Sequence, residues 1–373
     1  MSAVCFAGAL QRWYNPYPMK KQWKLWIGLI ISVVALVLAL LGIDLRRVAE
    51  TLTQAEYVYL VPATVGMLAY LFARAVRWRL LLGPEVSLSR SFWVTCVGYL
   101  VSNVLPFRLG DPARAVVVGR GGKISIAAAL STVVVERVLD MLMVVALLAG
   151  VTPFISGAGS AAGVGLVAGG AALAASAVLL LLAFRPDWGR QVARRVLGWV
   201  PRLDSERWMG TLDGLLEGLA PLRSGRRGLA LLAWSVVTWA CVVAFYWAIM
   251  RAFLPRPPAL AAPFLVCVVG LGMAIPASPG AVGVFHAVAR YGLTVPFGVP
   301  TDQAVTVAFA IHTFQYVAVC LLGLAGLARE SLSLGWLRAR ATDVTSTASG
   351  ERSTDHSSGG LSPEASIKSE EVE

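Results

Sequence analysis

Three sets of polar residues interrupt an otherwise apolar sequence, and they are where chemistry would sit. Glu136, Arg137 and Asp140 lie inside the apolar run 126–150. An ionised side chain near a bilayer centre costs ~2.5–3.5 kcal/mol on insertion scales, so three together must face protein or water. On a helix Glu136 and Asp140 share a face at i,i+4, and Arg137 meets Asp140 at i,i+3. Arg77, Arg108 and Arg114 are the expected partners. The trio reads either as structural ion pairing or as a proton-coupling or gating device.

The second set is a pair of proline-broken segments of parallel design. One reads Asn103-Val104-Leu105-Pro106-Phe107-Arg108-Leu109-Gly110-Asp111-Pro112-Ala113-Arg114. Pro106 and Gly110 stop one helix, and Asp111 with Pro112 would cap and start another. The other reads Ile275-Pro276-Ala277-Ser278-Pro279-Gly280-Ala281-Val282-Gly283, with Ser278 and Pro279 repeating that device. Each break would aim a helix N-terminus, with free N–H groups and partial positive charge, into the membrane interior. Such ends bind anionic groups at the midplane of transporters built from inverted repeats. Asn103, Arg108, Asp111, Arg114, Ser278 and Gly280 are the candidate binding residues, with Arg108 and Arg114 suited to a phosphate. Read without function, the same segments are interfacial turns whose arginines reach headgroups. A third set, His286 and Arg290, shares one face at i,i+4, either as packing residues or as part of a relay.

The elements that hold these residues follow from hydropathy. Of 373 residues, 57% are hydrophobic and 14% charged, against roughly a quarter charged in soluble domains, and the mean hydropathy is +0.71. Apolar runs at 25–42, 57–73, 126–150, 164–184, 228–250 and 305–327 are long enough to cross, given that ~20 residues match the hydrocarbon core. Two shorter runs, 92–106 and 264–276, each end at a proline. The net charge of +11 is mostly arginine, as the positive-inside bias and anionic headgroups explain. A nucleic-acid reader would need a basic face with a reading motif, and the sequence has neither.

Charge placement orients the runs. Arg12, Lys20, Lys21 and Lys24 put the N-terminal segment 1–24 in the cytoplasm. Segment 43–56 suits an interfacial helix on the outer side. Arg74, Arg77, Arg79 and Arg90 read as an inside loop, as do the basic residues after 92–106, so that piece dips in and returns. The connection 185–227 carries nine Arg and no Lys against five acids, and is cytoplasmic. Arg251 and Arg256 fit less well, falling on the outer side. The expectation is an all-α integral membrane protein of six crossing helices plus two re-entrant elements in inverted arrangement; the alternative is eight transmembrane helices. Residues 341–373, rich in Ser, Thr, Gly and Glu, read as a disordered cytoplasmic tail. No cleavable leader precedes the first run, and Met19 is a candidate start.

Cys96, Cys241, Cys267 and Cys320 lie in apolar runs and Cys5 near the start, without C-x-x-C or Cys/His spacing, so no disulfide framework, metal or cofactor is expected. No Ser/His/Asp set or phosphate loop occurs, and an enzyme is not expected.

Three ordered motifs resemble those of the flippase-like transmembrane family, which includes the membrane region of lysylphosphatidylglycerol synthases. The run from Asn103 through Leu105-Pro106, Arg108 and Gly110-Asp111 to Arg114 resembles its N-x-L-P-x-R-x-G-[DE]-x-x-R signature. Val133-Val134-Val135-Glu136-Arg137-Val138-Leu139-Asp140 resembles its V-x-E-R-x-x-D span, and Pro276 to His286 its P-x-S-P-G-G-L-G-x-x-E segment. Ala281 replaces the second glycine, and His286 stands where an acid is common. The resemblance covers about 25–330 and implies a lipid translocator in the cell inner membrane, binding an anionic phospho- or polyprenyl-lipid headgroup. It implies no soluble aminoacyl-transfer domain, since only the tail follows. The rival reading is a non-transporting subunit that scaffolds a lipid- or glycan-modifying enzyme through the arginine-rich loop.

Overall fold

The computed structural model describes residues 44–105, 109–155 except Gly121 and Lys123, 185–197, 224–273 and 279–332, with single positions within 30–40, 174–184 and 209–219. Among the described residues the structure is helical, without strands.

A short amphipathic helix, α1 (Leu45–Thr53), is started by the Asp44 carboxylate, which accepts from the Arg46 N–H. The Asp44 N–H in turn donates to Asp302 at 3.0 Å, tying α1 to the start of the last helix. After the turn Tyr57–Tyr59 comes α2 (Leu60–Leu82), closed by Gly83 at φ 91°. The first broken element is α3 (Leu88–Val104) followed by α4 (Gly110–Gly119). Then comes α5 (Ile126–Val151), capped by the Ser125 hydroxyl. The basic helix α6 (Pro186–Leu197) lies in the arginine-rich connection, and α7 (Gly225–Phe253) begins at the Ser224 cap. The second broken element is α8 (Ala261–Gly272), the turn Pro279–Ala281 and α9 (Val284–Phe297). The last helix is α10 (Thr301–Arg329).

Tyr57–Leu82, Gly225–Phe253 and Thr301–Arg329 are long and apolar enough to cross a membrane. With 26 residues, α5 matches them in length but carries Glu136, Arg137 and Asp140. The expected crossings 25–42 and 164–184 lie largely outside the described residues. Helices α4, α8 and α9, of 10, 12 and 14 residues, rise only about 15–21 Å, well short of the ~30 Å core.

One expectation is corrected. Arg74, Arg77 and Arg79 do not lie in a loop, because α2 runs on through Leu82 and buries Arg74 and Arg77 at 6% and 0% exposure. Meanwhile Val61, Val65, Leu68 and Phe72 of the same helix stay exposed. A helix with its charges inside and its apolar side chains outside fits lipid as its solvent.

Packing is by small residues, as expected where lipid tails compete for apolar contact. A side chain on Gly98 of α3 would strike the Arg114 side chain of α4, and one on Gly110 the Gly98 carbonyl and the Ser102 hydroxyl. On α10, a Cβ on Gly323 would press on Leu100 and the Cys96 carbonyl, and one on Gly326 would fall 2.9 Å from the Trp93 carbonyl. Arg251, awkward by charge alone, pairs with Glu56 at 2.7 Å and covers the Tyr59 ring. This places the start of α2 beside the end of α7, where the Glu56 N–H also donates to the Ala252 carbonyl.

Candidate functional site

The spacing Tyr70, Arg74, Arg77 puts two guanidinium groups on one face of α2, opposite Glu136 and Asp140 of α5. Arg77 Nη2 lies 2.8 Å from Asp140 and donates to Glu136 at 3.4 Å, while its Nη1 donates to Ser235 of α7 at 3.2 Å. Arg74 Nη2 lies 3.3 Å from Asp140, and its Nε sits 4.0 Å from Glu136. From α4, Arg114 donates to the other Glu136 oxygen at 2.8 Å, with its guanidinium 3.9 Å over the Trp78 ring. Trp78 is fixed by its own indole N–H, which donates to Thr132 at 3.0 Å.

Three buried arginines thus share two buried carboxylates. The Nε atoms of Arg74, Arg77 and Arg114 have no hydrogen-bond partner among the described residues. Separation of charges in a low-dielectric interior is stable only when each ion is paired and hydrogen-bonded. Asp111 also lies 3.8 Å from Arg114 and is shared with Arg137, so among the described residues four arginines meet three carboxylates, and the set is one negative charge short.

Arg137 does not meet Asp140 as its i,i+3 spacing suggested. It swings to Asp111, the acid in the first turn of α4, donating through Nε at 3.0 Å. Asp111 does not cap α4 as expected, since the N-cap is Leu109 without a side-chain bond; it sits in the first turn, at the positive end of α4, and is held by a cation as well.

Beside this network lies a cavity of about 260 Å³. Arg74, Arg137 and Asp140 form its charged wall. Tyr70 and Tyr99, bonded hydroxyl to hydroxyl at 2.5 Å, and Trp239, whose N–H donates to Asp140 at 3.4 Å, supply aromatic and polar lining. The far wall comes from both broken elements and α10, including Asn103, Gly280, His312 and Tyr316. Gly280, at φ 71°, lies against Tyr316, where a Cβ would come within 2.8 Å of the ring.

The candidate residues from the sequence therefore divide. Asn103, Gly280, Arg137 and Asp140 reach the cavity, whereas Arg114 and Glu136 stand behind its wall and Asp111 holds Arg137. His286 is buried behind His312, and Arg290 lies one turn on along α9, over the Tyr291 ring. Arg108 and Ser278 lie outside the described residues. Sequence reading missed Arg74, Tyr70, Tyr99 and Trp239. The i,i+4 pair Tyr70 and Arg74, on the face that carries buried Met67, was the signal available for the first two of these residues.

Comparison with known proteins gives two similarities. A family model described as "Lysylphosphatidylglycerol synthase TM region" matches residues 25–323. A curated "UPF0104 membrane protein" of Methanothermobacter thermautotrophicus is 29% identical over 119 residues, 31% of this chain and 35% of that protein. The match spans about a third of that relative's length. No solved structure matches.

Proposed function

This chain belongs to the lysylphosphatidylglycerol synthase TM region family, and we propose that it takes the headgroup of an anionic lipid, phospho- or polyprenyl-linked, into its cavity and moves it across the bilayer. The single observation that carries this reading is the arginine surplus at the cavity wall: Arg74, whose Nε has no hydrogen-bond partner among the described residues, borders a space of about 260 Å³. A visiting phosphate supplies the acceptors and charge that the wall lacks, and arginine suits phosphate oxygens. The volume lies just under the usual ~300–1,000 Å³ of small-ligand pockets. It holds a headgroup and leaves the tails to the bilayer.

In this reading α3–α4 and α8–α9 are re-entrant elements of opposite entry, with α3, α8 and α9 lining the cavity. Irregular backbone at that depth is tolerated because it lines a cavity inside the bundle. Residues 25–330 form one transmembrane unit of the cell inner membrane with both termini cytoplasmic, 185–227 is a cytoplasmic loop and 341–373 a tail. The cavity binds and passes its lipid and does not catalyse a reaction on it.

The test is reconstitution with fluorescent phosphatidylglycerol and a membrane-impermeant quencher. Arg74→Gln keeps Asp140 paired to Arg77 and should slow lipid exposure roughly tenfold, the worth of one charge-assisted hydrogen bond. Equal rates for wild type, variant and empty vesicles would exclude the reading.

A second reading is favoured by α6, which exposes Trp188, Arg194 and Arg195. In it the chain scaffolds a lipid- or glycan-modifying enzyme through the 185–227 loop. In-cell crosslinking from Arg194→Cys distinguishes them, because a translocator needs no stoichiometric partner there.

A further inference from the structure

The turn at 279–283 is held by a closed circuit of hydrogen bonds that runs through two imidazoles. The Gly283 N–H donates to His286 Nδ1 at 3.2 Å. His286 Nε2 lies 3.3 Å from His312 Nδ1, and His312 Nε2 lies 2.9 Å from the Gly280 carbonyl oxygen. The two ends of the circuit fix every proton in it. A carbonyl only accepts, so His312 carries its proton on Nε2; a backbone N–H only donates, so His286 Nδ1 is bare. The middle bond then has one solution, with His286 Nε2–H donating to a bare His312 Nδ1. Both rings are neutral and both are Nε2–H tautomers.

The circuit has no room for another proton. Placed on His286 Nδ1, a proton faces the Gly283 N–H; placed on His312 Nδ1, it faces the His286 N–H. Either way two donors oppose each other and one bond of the circuit opens. The backbone it secures has Gly280, Ala281 and Gly283 all at positive φ. Positive φ costs a non-glycine residue such as Ala281 energy that surrounding contacts must offset. The rings themselves are fixed, His286 stacked on Phe309 at 3.9 Å between centroids and His312 on Phe285 at 4.6 Å.

We propose that the His286–His312 pair is a proton-binding site that latches the 279–283 turn over the cavity when neutral and releases it on taking one proton. His312 lines the cavity, so the proton arrives from there. The charged and titratable groups around the pair are Tyr70 and Arg74 of α2, Tyr99 of α3, Arg137 and Asp140 of α5, Tyr246 of α7, Arg290 of α9, and Tyr316 and Cys320 of α10. Asp140 is taken up by Arg74 and Arg77. The neighbouring groups are thus cationic on balance among the described residues, so an anionic occupant favours protonation of the pair.

The chain has three histidines, 286, 312 and 356, so 15N-histidine NMR of the full protein in nanodiscs resolves them. At neutral pH we expect Nε2–H tautomers at 286 and 312 and a scalar coupling across their N–H···N bond, lost on acidification. A cysteine at Ala281, in a background without the native cysteines, should gain about tenfold in reactivity toward a methanethiosulfonate at acid pH, the effect of one lost hydrogen bond. Rates are taken relative to a cysteine at exposed Leu321. The double variant His286→Gln/His312→Gln keeps every donor and acceptor of the circuit without a titratable group, and its reactivity should not respond to pH. An Nδ1–H tautomer at His286, or the same pH response in the double variant, would overturn the proposal. Neither readout involves lipid movement, so the latch and the lipid-translocation reading fail separately.

Discussion

Arg137 of α5 and Asp111 of α4, 26 positions apart, are joined by two hydrogen bonds to one carboxylate oxygen, from Nε at 3.0 Å and from Nη2 at 2.5 Å. This pair splits a trio that is contiguous in sequence. Glu136 and Asp140 turn to the buried arginines of α2 and α4, while Arg137 turns to the N-terminus of α4 and leaves Asp140 to Arg74 and Arg77.

Arg137 and Glu136 should therefore respond differently to substitution. The Arg137 side chain is 53% exposed, and a pair that open contributes at most about 1 kcal/mol. Arg137→Gln should barely change thermal unfolding in detergent and should still reduce lipid movement, since Arg137 lines the cavity. A large loss of stability with intact transport would contradict its placement.

Glu136 is 1% exposed and touched by Arg74, Arg77 and Arg114. Removing one partner of such a buried set costs about 3–5 kcal/mol, because the remaining charges stay buried. Glu136→Leu should therefore fail to accumulate as folded protein. Arg114→Leu/Glu136→Leu should recover part of the folded yield, and a yield no better than that of Glu136→Leu alone would mean the two do not interact.

The close approach of α3 and α4 gives a packing test. Gly98→Val would thrust into the Arg114 side chain and so push Arg114 off Glu136. Overpacking costs about 1–3 kcal/mol, and here an ion pair is disturbed as well. By contrast, Gly228→Ala, where nothing lies near the added Cβ, should leave unfolding unchanged. Equal melting of both variants would contradict the packing.

Asp302, 8% exposed, accepts from the Asp44 N–H and lies 3.9 Å from Arg47. Asp302→Ala should release α1 from α10 and speed tryptic cleavage at Arg46 and Arg47 with the rest of the chain intact. Unchanged cleavage would mean that α1 is held by other contacts.

Much of this was legible in sequence where a local rule applied. Uncompensated Glu136 and Asp140 in an apolar run demand buried cations, and Arg77 and Arg114 are inferable as arginines within reach. The breaks at 105–109 and 273–283 follow from proline and glycine. Arg74 was misread because hydropathy ends the span at residue 73, whereas the helix continues to Leu82 by burying its cations against α5. Helix length here is decided by partners such as Glu136, 59 positions from Arg77, which no window sees. His312 carries no local signal for the same reason. Its partners His286 and Gly280 come from another element, so the circuit exists only in the folded bundle.

The central claim, that a charged headgroup enters the cavity beside Arg74 and Arg137, is met most directly by photo-crosslinking from within. Benzoylphenylalanine at Gln315, in the cavity wall, and at Leu321, exposed on the outer face of α10, would be irradiated in vesicles holding phosphatidylglycerol labelled in its headgroup. Labelling at position 315 that exceeds labelling at 321 and falls with Arg74→Gln is the expected result. Headgroup label at 321 alone, with none at 315, would contradict it.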